Sequence, residues 1–340
     1  MTTSRLFSGM QPSASSLHLG NYAGAMRQWV TMQSSYDAYF CVVDLHAITV
    51  PQDPAKLANQ TLRTAAQFLA CGVSATQSTL FIQSHVSAHS ELSWILNTIA
   101  GFGELSRMTQ FKNKASKNGA ADATVGLFTY PILQAADILL YDSDVVPVGE
   151  DQRQHLELAR DIAERFNQRF GETFVLPRAK ILEREAKIYD LQQPELKMSK
   201  SANSSKGVLW LLDEPDVISK KIGSAVTDSE NVIRFDELHK PGVSNLLTIG
   251  SIATGMSIAS LEDQLAGAGY GKLKALVQDA LIEHLKHIRE KTNALMNDPA
   301  ELDRLLSEGS RKARDCASVT LSRVRSAVGF LASSSSLQDS

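Results

Sequence analysis

The sequence predicts an α/β protein: a Rossmann-like, doubly wound parallel sheet followed by a smaller all-helical domain. Three observations carry this. Short apolar runs of strand length alternate with amphipathic stretches through the first half, the β-α-β-α order of a parallel sheet covered on both faces. Beyond Pro194 almost every periodic segment is helical. Hydrophobic residues make up 43% and charged residues 21% of the chain, enough for a full core and unlike a disordered, collagen-like or coiled-coil chain. A length of 340 residues suits two domains.

The elements follow in order. Residues 5–8 read as a short strand. Residues 21–34 have helical spacing in Met26, Trp29, Val30 and Gln33. Tyr39-Phe40-Cys41-Val42-Val43 is a continuous apolar run, as in a strand buried on both faces. Asp53-Pro54 supplies an N-cap and a first-turn proline for a helix that Gly72 ends. A strand is expected over 79–83 and a helix around Leu92, Ile95 and Ile99. Residues 111–124 turn polar and small, with Lys112, Lys114 and Lys117, and read as a mobile basic loop. A helix over 130–141, a strand over 145–148 and a long helix capped by Asp151 and closed by Gly171 complete this half. A Ser- and Lys-rich loop, 197–206, precedes helices at 217–222, 257–265, 272–296, 302–306 and 311–330. The domains are set at 1–192, with an insertion around 104–128, and 193–330, with a flexible tail at 331–340. Whether the last helix packs back on the first domain is left open by the sequence, and no internal repeat is found.

The bulk numbers narrow the function classes. Thirty-four basic against 37 acidic residues leave a net charge of −3, so a globally basic nucleic-acid coat is excluded and a local patch is not. Cys41, Cys71 and Cys316 are odd in number and have no zinc-ligand spacing. No signal-peptide pattern opens the chain and no apolar run approaches the ~18 residues of a membrane span. The expectation is a cytoplasmic protein without a membrane partner.

Two motifs carry chemistry. Pro12…His18-Leu19-Gly20-Asn21 follows the first strand and opens a helix, where unpaired N–H groups favour phosphate. Gly20 lets a nucleotide approach the backbone, and His18 and Asn21 can hydrogen-bond a phosphate in its transition state. Taken alone, this string reads equally well as a capped turn. Lys197-Met198-Ser199-Lys200-Ser201 places two lysines three apart in a loop of small residues, able to deliver charge to a developing pyrophosphate. Together they are the signature of class I aminoacyl-tRNA synthetases.

Further strings make the resemblance closer. Phe7-Ser8-Gly9-Met10-Gln11-Pro12-Ser13, Asp44-Leu45-His46-Ala47-Ile48-Thr49, Arg107-Met108-Thr109-Gln110-Phe111-Lys112, Tyr130-Pro131 with Ala135-Ala136-Asp137-Ile138-Leu139, Val146-Pro147-Val148-Gly149-Glu150-Asp151-Gln152 and Ala225-Val226-Thr227-Asp228-Ser229 resemble the bacterial tryptophanyl-tRNA synthetase family over about residues 5–330. The resemblance implies that Gln11, Pro12, Ser13, Gly20 and Asn21 cradle ATP, with Gly149, Glu150, Asp151 and Ile188 on the ribose and adenine side. It implies that Lys197, Met198, Ser199, Lys200 and Ser201 hold the phosphates, helped by Lys114; His18, Asn21, Lys114, Lys197 and Lys200 are the catalytic candidates. Asp137 would accept the indole N–H of tryptophan. Phe7, His46, Val146 and Val148 would line the indole, and Tyr130, Gln134 and Gln152 would hold the amino group. Also implied are ATP with Mg²⁺ as substrate, no tightly bound cofactor, no protein metal site, tRNA(Trp) as partner of the helical domain, and a homodimer.

Some positions depart from the family: Ala14 stands for a glycine, Ala202 for an acid, Leu45 for a common glutamine and Gln134 for a common methionine. Tyr130…Gln134…Asp137 is also the tyrosyl-tRNA synthetase pattern, but Phe7 lacks the hydroxyl that would hold a phenol. A small-molecule adenylyltransferase would share the His-x-Gly loop without needing the helical half, and a non-enzymatic tRNA-binding paralogue should have lost the loop lysines. His85-x-x-x-His89 has helical metal spacing without a third ligand. Gly267-Ala268-Gly269-Tyr270-Gly271-Lys272 mimics a phosphate loop but follows a helix and lacks the Ser/Thr. Trp29 and Trp94 read as core. Arg311, Lys312, Arg314, Arg323 and Arg325 form a local basic excess, either a solvated face or a tRNA-phosphate patch.

Overall fold

The computed structural model describes residues 4–12, 16–109, 124–149, 152–181, 187–199 and 204–332. Its centre is a five-stranded, wholly parallel sheet. The strands are β1 (Arg5–Met10), β2 (Asp37–Val42), β3 (Thr79–Ile82), β4 (Val145–Val148) and β5 (Arg178–Ile181), in the order β3-β2-β1-β4-β5. The order reverses between β1 and β4, so the sheet is doubly wound as expected. β1 and β2 are in register from Arg5 opposite Asp37 to Met10 opposite Val42.

Side chains alternate across the sheet with the period of two that strands impose. Leu6, Phe40, Val42, Leu80 and Ile82 enter one apolar cluster, and Phe7, Tyr39, Cys41, Val43 and Phe81 the other. On the first face lie α1 (Leu19–Asn21), α2 (Arg27–Met32) and α4 (Pro54–Ala70), with α3 (Asp44–Ala47) at the strand ends. A single π-helical stretch, Tyr22–Met26, joins α1 to α2, so the helix expected over 21–34 begins earlier and is not uniform. Trp29 is buried in this layer, stacked on Phe40. α4 starts as its sequence requires, with the Asp53 carboxylate accepting from the Ala55 N–H and Pro54 at N1.

The second face carries α5 (Ala88–Asn97), α6 (Phe102–Arg107), α7 (Val125–Leu139) and α8 (Arg153–Phe170). α8 opens at Arg153 with Gln152 at its N-cap; Asp151, expected to cap it, lies outside the described residues. Trp94, read as core, is 72% exposed, because it sits on the outer side of α5, away from Leu92 and Ile95.

The helical half comprises α9 (Pro215–Gly223), α10 (Pro241–Thr254), α11 (Ile258–Gln264), α12 (Tyr270–Asn297) and α13 (Pro299–Ala327). α10 went unanticipated. It is buried nearly all round, so it lacks the polar face that makes a helix periodic. β5 was also missed, being a four-residue edge strand with Arg178 and Lys180 in it. The helices expected at 302–306 and 311–330 are one helix, α13. Gly309 and Ser310 are not a break but a contact: a Cβ on Gly309 would lie 1.8 Å from the Leu80 carbonyl oxygen. α13 thus returns along β3, and Ala313, Ala317 and Val324 join the second-face cluster. The first-face cluster runs from Leu6 and Phe40 on to Leu246, Leu281 and Leu302. Among the described residues no single helix is long and apolar enough to cross a membrane.

Candidate active site

Parallel doubly wound sheets bind ligands beyond the carboxyl ends of their strands, where the strand order reverses. A cavity of about 290 Å³ opens there, between the ends of β1 and β4. Phe7 to Gln11 line it from β1, Val146 to Val148 from β4, and Tyr130, Gln134, Asp137 and Ile138 from α7. Val43, His46 and Gln152 complete it. All eight residues expected to hold the amino acid (Phe7, His46, Tyr130, Gln134, Asp137, Val146, Val148 and Gln152) therefore face one space. Spacing on α7 achieves part of this, since positions 130, 134 and 137 are four and three apart and share a helix face. A larger open depression of about 960 Å³, lined by Arg5, Tyr36, Asp37, Asp142 and Asp144, lies at the opposite, amino-terminal ends of β1 and β2.

Asp137 is the electrostatic centre of the cavity. It is 1% exposed, and its carboxylate accepts from three neighbours. Gln83 Nε2 lies 2.7 Å and His89 Nδ1 2.6 Å from Oδ1; His46 Nε2 lies 2.8 Å from Oδ2. Burial alone would raise its pKa, but the charges and hydrogen bonds of His46 and His89 outweigh that and hold the carboxyl well below the usual range. An ionised carboxylate accepts about four hydrogen bonds, so among the described residues one position is left on Oδ2. The surroundings are more polar than the apolar pocket expected. His46 acts here through Asp137, and its ring meets Tyr130 edge-on.

Gln83 and His89 were not anticipated as site residues. His89 was weighed only as half of a metal pair. Its ring is fully buried, with Nε2 2.8 Å from the Tyr141 hydroxyl, while His85 is exposed and lies by Ser310. Among the described residues no cluster of three or more His, Cys, Asp or Glu could hold a metal ion. The Tyr130 hydroxyl lies 2.9 Å from His155 Nε2, and burial pushes it up to about 12. Gln134 Nε2 donates to Gln152 Oε1 at 3.4 Å.

The described parts of the two sequence motifs lie close together. His18 is the N-cap of α1. Its Nδ1 accepts from the Asn21 N–H while Asn21 Oδ1 accepts from the His18 N–H, a reciprocal capping box. The capped turn that the string could encode is thus present in the structure. Leu19 N–H donates to the Leu209 carbonyl and Leu211 N–H to that of Leu17, so the segment after the lysine loop pairs with the motif. A Cβ on Gly20 would come within 3.0 Å of the His18 ring and 3.8 Å of the Met198 carbonyl oxygen. Met198 is buried, Ser199 half-buried and the Lys197 side chain exposed.

The remaining calls divide. Gln11 lines the cavity and Pro12 is buried beside it. Gly149 is half-buried, its carbonyl accepting from Gln152 N–H. Ile188 is 1% exposed in the core, and meets the lysine loop through its carbonyl, which accepts from the Met198 N–H. Ser13, Lys114, Glu150, Asp151, Lys200 and Ser201 lie outside the described residues. The basic stretch of α13 is partnered within the chain. Arg311 pairs with Asp315, Lys312 with Glu308, Arg323 with Asp142 and Arg325 with Glu91, while Arg314 donates to the His85 carbonyl. Arg323, Arg325 and Arg314 thus fasten α13 to the sheet domain.

Known proteins match this architecture over nearly its whole length. The profile of the family described as tRNA synthetases class I (W and Y) matches residues 2–286. Tryptophan–tRNA ligase of Leifsonia xyli subsp. xyli is 58% identical over 327 residues, covering 96% of this chain and 97% of its own. That of Corynebacterium glutamicum is 56% identical over 332 residues, covering 98% and 96%. Tryptophanyl-tRNA synthetase from Mycoplasma pneumoniae superposes with a TM-score of 0.88 at 35% identity, covering 97% of this chain and 99% of that one. The Campylobacter jejuni enzyme, solved with ADP and tryptophan, gives 0.84 at 35% identity, covering 96% and 100%. With a family profile that covers most of the chain and this identity and superposition along nearly all of it, the protein belongs to the class I aminoacyl-tRNA synthetases, in the bacterial tryptophanyl branch of the tryptophanyl and tyrosyl family.

Proposed function

We propose that the chain activates L-tryptophan with ATP and transfers it to tRNA(Trp). In the first step a tryptophan carboxylate oxygen attacks the α-phosphorus of ATP. The new O–P bond replaces the bond to the β-phosphate oxygen, and pyrophosphate leaves. No proton is removed from the nucleophile, so positioning and charge stabilisation carry the step. The ribose hydroxyl at the tRNA end then displaces AMP from the aminoacyl carbonyl.

One observation carries the reading: a buried, ionised Asp137 with one open acceptor position, walled by Phe7, Val146 and Val148. An indole N–H fills that position, and an analogue without the donor leaves a buried charge short of a partner. Tyr130, Gln134 and Gln152 hold the ammonium end. Gln11, Pro12, Ser13, Gly20 and Asn21, with Gly149, Glu150, Asp151 and Ile188, take the nucleotide. His18, Lys114 and the loop Lys197–Ser201 stabilise the phosphates. Mg²⁺ arrives with ATP as part of the substrate.

Residues 1–192 form the adenylate, and 193–330 supply the lysine loop and the helices that approach the tRNA. The active form is a homodimer. Ile48, Trp94, Phe102 and Val125 are all exposed, and Ile48 and Trp94 line one shallow cavity with Thr124 and Gly126, an apolar face of the kind subunits cover. ATP–pyrophosphate exchange with tryptophan and with tyrosine tests the reading. Tryptophan should support exchange and tyrosine should not, since Phe7 offers a phenol no partner; equal exchange would reject the assigned specificity.

A further inference from the structure

The base of the lysine loop is a short two-stranded ladder. Met198 N–H donates to the Ile188 carbonyl and Asp190 N–H to that of Leu196, each at 2.9 Å, with Tyr189 opposite Lys197. Tyr189 therefore turns its own N–H and carbonyl outward, away from Lys197. Outward-facing ladder groups are met by a third strand or by water. Here they are met by one side chain of the helical half. Asn245 Oδ1 accepts from the Tyr189 N–H at 2.9 Å, and Asn245 Nδ2 donates to the Tyr189 carbonyl at 2.9 Å. Asn245 is 3% exposed and sits on α10, which is seated against α12 where Gly250 approaches Val277.

One amide thus replaces a strand and ties a catalytic loop to a helix. A second tie lies nearby, the Val226 N–H donating to the Leu191 carbonyl at 2.8 Å. The segment carrying Val226 is itself anchored. Lys240, 1% exposed, reaches Asp228 at 3.0 Å, Glu230 at 2.7 Å and the Tyr270 hydroxyl at 3.1 Å. The string Ala225–Ser229, which marked the family resemblance without a role in the chemistry, belongs to this anchor.

We propose that Asn245 is a positioning residue for adenylate formation: by gripping both backbone groups of Tyr189 it sets where the paired strand presents Lys197 to the nucleotide. The same paired strand carries Met198, whose carbonyl faces Gly20 of the His18–Asn21 turn. The inference rests on the proposed role of Lys197 in holding the ATP phosphates.

The test is a double-mutant cycle of Asn245→Ala and Lys197→Ala, read by tryptophan-dependent ATP–pyrophosphate exchange and by tryptophan binding without ATP. Asn245→Ala should lower kcat for exchange by about ten- to a hundredfold, the scale for a misplaced group near the reacting atoms. Tryptophan affinity should stay at the wild-type value, because Asn245 does not line the cavity around Asp137. The double variant should lose no more than Lys197→Ala alone, since Asn245 acts through that lysine. Losses that multiply would mark Asn245 as a general structural residue and overturn the proposal. So would wild-type exchange by Asn245→Ala while Lys197→Ala is impaired. Wild-type exchange by Lys197→Ala would instead overturn the underlying reading of the loop, and the inference with it. Should Asn245→Ala not fold, Asn245→Asp gives the same comparison: it keeps the shape and the acceptor for the Tyr189 N–H, but sets a second oxygen against the Tyr189 carbonyl.

Discussion

A single carboxylate shows how much the site depends on its immediate neighbours. Asp137 is buried, yet its carboxyl is held well below the usual range, because the charges and hydrogen bonds of His46 and His89 outweigh the burial; Gln83 donates to it as well. Asp137→Ala should lose tryptophan activation by about 1.5–3 kcal/mol in exchange assays while ATP affinity is retained, the range for a hydrogen bond to a charged group. The pH dependence of stability has a definite sign. A carboxyl whose folded pKa lies below the unfolded value of about 3.9 contributes its stabilisation in full above that value and loses it as the pH falls further. The melting temperature of Asp137→Asn should therefore lie below wild type at neutral pH, and the gap should begin to narrow as the pH falls below about 4. A gap that is constant with pH would mean the carboxylate charge contributes nothing to the fold.

At the scale of elements, α13 decides whether the sheet domain and the helical half act as one body. Its Gly309 lies against the Leu80 carbonyl of β3, and Arg323 and Arg325 reach Asp142 and Glu91. The exposed ion pairs count for little, about 0–1 kcal/mol each. The close approach counts for more. Gly309→Ala puts a methyl into backbone, so helix and strand must part. A loss of about 1–3 kcal/mol is expected from denaturant unfolding, the cost of overpacking. Glycine's lower helix propensity works the other way, by about 1 kcal/mol, so a net gain in stability would show that α13 is not held against β3.

In the proposed reaction the lysine loop stabilises the ATP phosphates. Lys200→Ala should slow adenylate formation by about a hundredfold or more, with tryptophan binding unchanged, because the lost charge acts on the departing pyrophosphate. Rapid-quench measurement of the first turnover separates the two. Assembly is tested at the exposed apolar face. Trp94→Glu places a charge where a subunit would bury an indole, and sedimentation should then show a single chain where wild type shows two. An unchanged mass would move the interface elsewhere.

The sequence alone determined the class of sheet, the two signature motifs and the residues that come to line one cavity. Each is written locally: apolar runs of strand length, a capped turn before a helix, two lysines three apart, and Tyr130, Gln134 and Asp137 on one helix face. Only the tertiary structure decided what surrounds them. His89 looked like half of a metal pair until the fold set it 2.6 Å from Asp137, 48 residues away in sequence. Asn245 lies in a helix hidden from sequence because it is buried nearly all round. Trp94 looked like core because helical spacing shows which residues share a face and not which face is covered. Arg323 and Arg325 read as part of a solvated face or a nucleic-acid patch until the fold brought Asp142 and Glu91, more than 180 and 230 residues earlier in the chain, beside them. Periodicity and motifs record interactions between near neighbours in the chain, whereas pairing and burial depend on residues that only the folded chain brings together.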